Sequence, residues 1–136
     1  MLMNLTTIEK SKAVMPLITR ICADLDLKWR EAFAMRKEAE ANINTMTLIQ
    51  KADYESDIDE LIDMAKSYIY EIEELGGIIY NFEPVTIHFP VLCRCQEFVL
   101  CYILGEDNTL NKCHLINHEC KHRQPIESIG NLDAPV

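Results

Sequence analysis

Apolar residues recur with the period of an α-helix through the first half of the chain. One stripe consists of Leu17, Ile18, Ile21, Leu25, Trp29, Ala32 and Phe33, and a second of Ile58, Leu61, Ile62, Ala65, Ile69, Ile72 and Leu75. Steps of three and four residues place such side chains on one side of a helix, where they can be buried together. The pattern therefore predicts two long helices that pack as an antiparallel hairpin.

Helix-capping residues indicate where the first part of this hairpin begins. Thr6 and Glu9 have the spacing of a capping box, in which each side chain satisfies a backbone donor of the other residue. Pro16 cannot donate a backbone hydrogen bond and disfavours helix for the residue before it. We expect a short helix over about 7–15 and a restart with Pro16 in the first turn.

The limits of the long helices follow from polar residues and glycine. The first long helix could continue to about residue 50, with a polar link from Asn42 to Asp53. Asp53 or Ser56 can then cap the second long helix. Gly76-Gly77 supplies the residues that end it, because glycine adopts the left-handed conformation of a helix C-terminus.

The second half of the chain changes to runs typical of β-strands. Strands are expected at 78–82, 85–89 and 97–104, bounded by Pro84, Pro90 and Gly105, with a weaker candidate at 113–116. The run 97–104 is apolar almost throughout, which is typical of a strand covered on both faces. We predict one α+β domain over 1–136: a helical hairpin over about 7–76, a small antiparallel sheet over about 77–127 and a loose tail at 128–136.

Composition narrows the class of protein. The net charge of -9 argues against nucleic acid as a partner, because phosphate binding needs a basic surface. No apolar run approaches a membrane span, and the first residues lack the order of a signal peptide. The six cysteines are therefore expected to be free thiols, and the protein to be cytoplasmic.

The segment CHLINHECKHRQP, residues 113–125, concentrates donors that suit zinc. Zinc is bound tetrahedrally by thiolate and imidazole, and the candidate ligands are Cys113, His114, His118, Cys120 and His122. Structural zinc sites usually combine two separated ligand pairs, which this spacing does not supply. Cys93-Arg-Cys95 is too tight for the usual knuckle, although it could contribute one ligand.

Four short motifs in order resemble a bacterial family known only as domain of unknown function number twenty-two-oh-three. They are Thr7-Ile-Glu-Lys-Ser-Lys-Ala-Val-Met-Pro-Leu17, Ile87-His-Phe-Pro90, Leu100-Cys-Tyr-Ile-Leu-Gly-Glu106, and His114 followed nine residues later by Arg123-Gln-Pro125. The chain departs from the family's pattern where Cys113 replaces tryptophan, His88 replaces aspartate, and Glu119 and His122 replace glycines. The family has no assigned activity, so the resemblance implies a fold and no chemistry.

The residues that coincide with the family are Cys101, Glu106, His114 and Arg123. The last three would suit a small anionic ligand or acid–base chemistry at the rim of the sheet, because arginine binds carboxylate or phosphate and histidine exchanges protons near neutral pH. Alternatively, Glu106 and Arg123 form an ion pair that ties a loop to the sheet. Cys101 lies within an apolar run and is expected to be a buried hydrophobic residue.

A third hypothesis involves no chemistry. Long helices with apolar stripes often bury the remainder of the stripe against a second copy, so a homodimer or an interaction module built on the hairpin is expected. The leading hypothesis is the small-anion pocket of Glu106, His114 and Arg123; the interaction module comes second and zinc third. No cofactor other than zinc is predicted, and whether the protein is an enzyme stays open.

Overall fold

A helical hairpin is followed by a small antiparallel sheet, which confirms the predicted α+β class. The computed structural model describes residues 7–93, 96–107, 109–115, 120 and 123–126. The helices are α1 (Ile8–Ala13), α2 (Met15–Ala41) and α3 (Leu48–Glu74). The strands are β1 (Ile78–Phe82), β2 (Val85–Cys93), β3 (Gln96–Ile103), β4 (Lys112–Leu115) and β5 (Gln124–Pro125). The predicted tail at 128–136 lies outside the described residues.

The helix starts agree with the sequence in outline and differ in detail. The break before Pro16 is confirmed, since α1 ends at Ala13 and Pro16 lies in the first turn of α2. The cap of α1 is Thr7, whose hydroxyl accepts a hydrogen bond from the Lys10 amide at 3.1 Å, one residue later than the predicted Thr6. Lysine at the third helical position has no acceptor to return the bond, so no capping box forms.

The predicted link from Asn42 to Asp53 begins at the right residue and ends too late. The first long helix stops at Ala41 rather than near 50, and the second begins at Leu48 rather than after Asp53 or Ser56. Thr47 and Gln50 form a capping box here, with side-chain to backbone distances of 3.1 Å and 2.9 Å. This box satisfies two amides at the start of α3, which settles where the helix begins.

The glycines end α3 as predicted. Gly76 has φ of +95°, and the amides of Gly76 and Gly77 donate to the carbonyls of Glu73 and Ile72. This is the Schellman arrangement, which satisfies two of the last carbonyls of a helix. It also turns the chain directly into β1.

Within the described residues, the five strands form one sheet in the order β1-β2-β3-β4-β5, with antiparallel neighbours. Alternate residues of β2 and β3, including Phe89, Leu100 and Tyr102, join the hydrophobic core with Ile18 and Ile72 of the helices. The other face, which we call the outer face, points away from the helices. Pairing places His88, Cys101 and Lys112 side by side on the outer face, and His114 opposite Val99 on the same face.

Pro90 lies inside β2, although the sequence predicted a strand end there. It pairs with Val99 of β3, and β1 reaches only as far as Ile78 opposite His88. At Pro90 the strand therefore has a neighbour on one side only, where a missing amide donor is tolerated. The strand β2 therefore continues to Cys93, four residues beyond the predicted end at 89.

Candidate functional site

Three strands and the segment after β4 bring four zinc-type donors together on the outer face. The ligand atoms of His88 on β2, Cys101 on β3, His114 on β4 and Cys120 lie within 4.8 Å of one another. We call these four residues the Cys/His cluster. Cys101 and His114 are buried, at 0% and 2% exposure, while His88 and Cys120 are half-buried.

Two distances within the cluster lie near those of a tetrahedral zinc site. Cys101 Sγ and Cys120 Sγ are 3.8 Å apart, and His88 Nε2 lies 3.1 Å from Cys120 Sγ. With Zn–S bonds of about 2.3 Å and Zn–N bonds of about 2.05 Å, tetrahedral geometry places two sulfurs about 3.8 Å apart and sulfur from nitrogen about 3.6 Å. The sulfur pair needs no movement, and the nitrogen–sulfur pair needs about half an ångström.

His114 is oriented as a metal ligand would be. Its Nδ1 donates to the carbonyl of Leu115 at 2.7 Å, so Nε2 carries the lone pair. In the described part of the chain, this Nε2 is the one buried side-chain nitrogen or oxygen without a hydrogen-bond partner. A backbone carbonyl that holds the second ring nitrogen is the usual support of a metal-binding histidine, and an unpaired buried acceptor costs about 1–3 kcal/mol if nothing else meets it.

Burial shifts the pKa values of two cluster residues, His88 and Cys101. It lowers the pKa of His88 to about 4, with a further lowering from the neighbouring His114 ring, whose centroid is 5.0 Å away. The imidazole is therefore neutral at neutral pH, the form that binds metal. Burial first, and then the adjacent Cys120, raises the pKa of the Cys101 thiol to about 12, while the nearby Arg123 opposes this rise.

A second group of polar residues borders the cluster. Arg123 is 15% exposed and contacts two carboxylates: Nη1 donates to Asp107 Oδ2 at 2.5 Å, and Nη2 donates to Glu106 Oε2 at 3.1 Å. Asp107 Oδ2 also accepts from the Ile103 amide at 2.8 Å, which fixes the turn after β3. Glu106, Arg123, Lys112 and Cys120 share an open cleft, so Cys120 belongs both to the cleft and to the cluster.

The predicted site residues thus divide between two neighbouring groups. Glu106 and Arg123 are brought together as the ion pair that the sequence offered as an alternative, while His114 joins the Cys/His cluster. Of the predicted zinc ligands, His114 and Cys120 are in the cluster. Cys113 precedes His114 on β4, so its side chain lies on the opposite face in the hydrophobic core. His118 and His122 lie outside the described residues.

Sequence reasoning missed His88 and Cys101 as possible ligands and Asp107 as the second partner of Arg123. His88, Cys101 and His114 are spaced thirteen residues apart, which matches no local ligand motif. Only the pairing of His88 with Cys101 and of Val99 with His114 places the three on one face. Asp107 follows Gly105 and Glu106, and its position after a glycine turn was the available signal.

Comparison with known proteins identifies a family for this chain but no activity. Residues 5–126 match the model of a family described as an uncharacterized conserved protein, DUF2203. No curated protein and no solved structure gives a significant match. None of the helices in the described ranges is long and apolar enough to cross a membrane.

Proposed function

Because the chain belongs to the uncharacterised conserved family DUF2203, we propose its function from its own side chains: it binds one zinc ion through the Cys/His cluster. The single observation that carries this proposal is that four zinc-type donors lie within 4.8 Å of one another, among them His114, whose buried Nε2 has no hydrogen-bond partner among the described residues. Two thiolates and two imidazoles form the closed tetrahedral set typical of structural zinc.

The donor set favours zinc over other divalent metals. Magnesium and calcium need oxygen ligands, and neither a carboxylate nor a carbonyl belongs to this set of four. Soft sulfur donors combined with imidazole in a tetrahedral arrangement suit zinc, which has no geometric preference of its own. When bound, the ion would neutralise two thiolates and give His114 Nε2 a partner.

The expected consequence is mechanical. Three ligands stand on β2, β3 and β4, while Cys120 lies outside the strands. A bound ion would tie Cys120 to the sheet beside β3, whose residues 98–103 are buried on both faces. The free energy of metal binding then adds to the free energy of folding.

Metal analysis with paired variants tests the proposal. The full chain is stripped with a chelator under reducing conditions and titrated with zinc, and with cobalt, whose visible absorption reports tetrahedral thiolate coordination. We expect one metal per chain, and an unfolding free energy that rises by about 2.7 kcal/mol at a free zinc concentration one hundred times the Kd. Loss of a residue that only supports a metal ligand weakens metal binding by roughly 10–100-fold. His114→Ala removes a ligand itself, so it should weaken zinc binding by more than that.

Cys113→Ala is the matched control, because residues 113 and 114 are adjacent on β4 and point to opposite faces. This variant should keep full zinc binding even if the cavity in the core lowers stability. Equal loss of zinc in both variants would contradict the assignment, as would a cobalt spectrum without thiolate-to-metal absorption.

A small anion in the neighbouring cleft is the second candidate function. Lys112 and Arg123 place two cations beside it, which supports binding of phosphate or carboxylate. Arg123 is already matched by Asp107 and Glu106, so Lys112 is the cation left for a ligand among these residues. Titration with inorganic phosphate, comparing the natural chain with Lys112→Ala, tests this candidate, and identical responses would dismiss it.

An interaction surface on the hairpin is the third candidate. Leu48 and Ile49 at the start of α3 are 83% and 75% exposed, which supports contact with a second copy or another protein. Light scattering over a range of concentrations tests the predicted homodimer. A monomer at every concentration would dismiss a self-contact.

A further inference from the structure

The two cysteines of the Cys/His cluster differ in their access to solvent. Cys101 is fully buried on β3, whereas Cys120 is half-buried and lines the open cleft with Arg123 and Lys112. Their sulfurs are 3.8 Å apart, with the Cys101 thiol donating to Cys120 Sγ. A small oxidant entering the cleft would reach Cys120 first and would find a second sulfur in contact with it.

We propose that a peroxide oxidises Cys101 and Cys120 to a reversible disulfide, and that this modification releases the metal; the release rests on the zinc site proposed above. Both sulfurs are ligands in that site, so one bond between them would remove two of the four donors at once. The two histidines that remain hold zinc far more weakly than a closed set of four.

The chemistry balances with hydrogen peroxide as the oxidant. The Cys120 thiolate attacks one peroxide oxygen, an S–O bond forms, the O–O bond breaks, and the leaving hydroxide takes up a proton to become water. The Cys101 sulfur then attacks the Cys120 sulfenic sulfur, the S–S bond forms, the S–O bond breaks, and the leaving hydroxide takes up a second proton to become water. The sulfurs lose two electrons to the peroxide, and zinc keeps its charge throughout.

The position of Cys120 favours a bond between its sulfur and that of Cys101. Cys120 Sγ lies 3.1 Å from His88 Nε2 and 3.8 Å from Cys101 Sγ, so the two sulfurs are already in contact. Cys120 lies in a turn rather than in a strand, and its carbonyl accepts a 3.1 Å hydrogen bond from the Arg123 amide.

The test uses the full chain loaded with zinc. Zinc content is measured first, then hydrogen peroxide is added, free zinc is followed with a chromogenic chelator, and disulfides are located by fragmentation of linked peptides. We expect zinc release in step with a link between Cys101 and Cys120, and recovery of zinc binding after reduction with dithiothreitol. Cys22→Ala is the matched control, since Cys22 is buried in α2 away from the cluster, and it should respond as the natural chain does.

The outcomes separate the two proposals. A chain that never holds zinc rejects the metal site before any oxidant is added, and the disulfide is then judged in the same chain from the peptides alone. A zinc complex that survives peroxide with Cys101 and Cys120 still reduced overturns the modification and leaves the metal site standing. Release that proceeds without a Cys101–Cys120 link, through sulfinic or sulfonic products, also overturns it. Cys120→Ser in the metal-free chain should abolish the link, and a link from Cys101 to another cysteine in the natural chain would contradict the pairing.

Discussion

Replacing Arg123 with alanine tests whether this residue stabilises the fold through its ion pairs or is available to bind a ligand. The guanidinium is 15% exposed and pairs with Asp107, whose side chain is 5% exposed, and with Glu106, which is 62% exposed. In Arg123→Ala the Asp107 carboxylate would remain buried with the Ile103 amide as its described donor. The variant therefore removes one partner of a nearly buried pair.

The magnitude follows from the unequal exposure of the two carboxylates. Breaking a buried ion pair by deleting one partner costs about 3–5 kcal/mol, and the Ile103 amide together with water entering the open cleft reduces this to about 2–3 kcal/mol. The exposed pair with Glu106 contributes less than about 1 kcal/mol. Arg123→Ala should lower Tm by about 6–12 °C, at about 3–4 °C per kcal/mol for a chain of this size.

The assay is urea or thermal unfolding of the metal-free chain, followed by circular dichroism in the presence of a chelator so that zinc does not contribute. A double-mutant cycle with Asp107→Asn should give a coupling of about 2 kcal/mol with Arg123→Ala. The matched control, Glu106→Gln, should change the unfolding free energy by less than about 1 kcal/mol. If Arg123→Ala is as stable as the natural chain, the ion pairs of Arg123 do not stabilise the fold, and binding of a small anion by Arg123 becomes the better explanation.

Two further changes test the packing at the end of α3 and the buried thiol of α2. Gly77→Ala should lower the unfolding free energy by about 1–3 kcal/mol, because an added Cβ would lie 2.9 Å from the Cγ2 atoms of Ile72 and Ile87. Gly76→Asn should cost less than about 1 kcal/mol, because that site is open and asparagine tolerates positive φ. If denaturant unfolding shows equal losses of stability for the two variants, crowding at Gly77 is contradicted. Burial raises the pKa of Cys22 from 9.0 to about 12, so its contribution to stability is complete below pH 9 and is lost as pH rises toward 12. Cys22→Ala should therefore show a shallower fall in unfolding free energy than the natural chain above pH 9, and identical slopes would exclude this titration.

Local interactions explain the parts of the fold that the sequence predicted well. The break at Pro16 and the Schellman ending at Gly76-Gly77 each depend on residues within a few positions, and the buried residues 98–103 coincide with a local apolar run. Helical period and glycine conformation are local properties, so the sequence carries them directly. The same local reasoning failed between 41 and 56, where several polar residues could cap a helix and the Thr47–Gln50 box is the one that formed.

Which residues form the candidate metal site depends on the tertiary structure. The sequence drew attention to the 113–125 segment and supplied His114 and Cys120, but two of the four donors come from β2 and β3. Whether His88, Cys101 and His114 meet depends on strand register, since a shift of one residue would move any of them to the other face. That register is set by the pairing of β2 with β3 and of β3 with β4.

Alone, the sequence determined that this chain forms a helical hairpin and a small sheet, and which residues carry metal-binding or charged groups. The tertiary structure decided which of those groups share a site: Arg123 with Asp107 and Glu106, and His114 with His88, Cys101 and Cys120. The physical reason is that backbone propensity acts over a few residues, whereas strand pairing brings together side chains that are far apart in the chain.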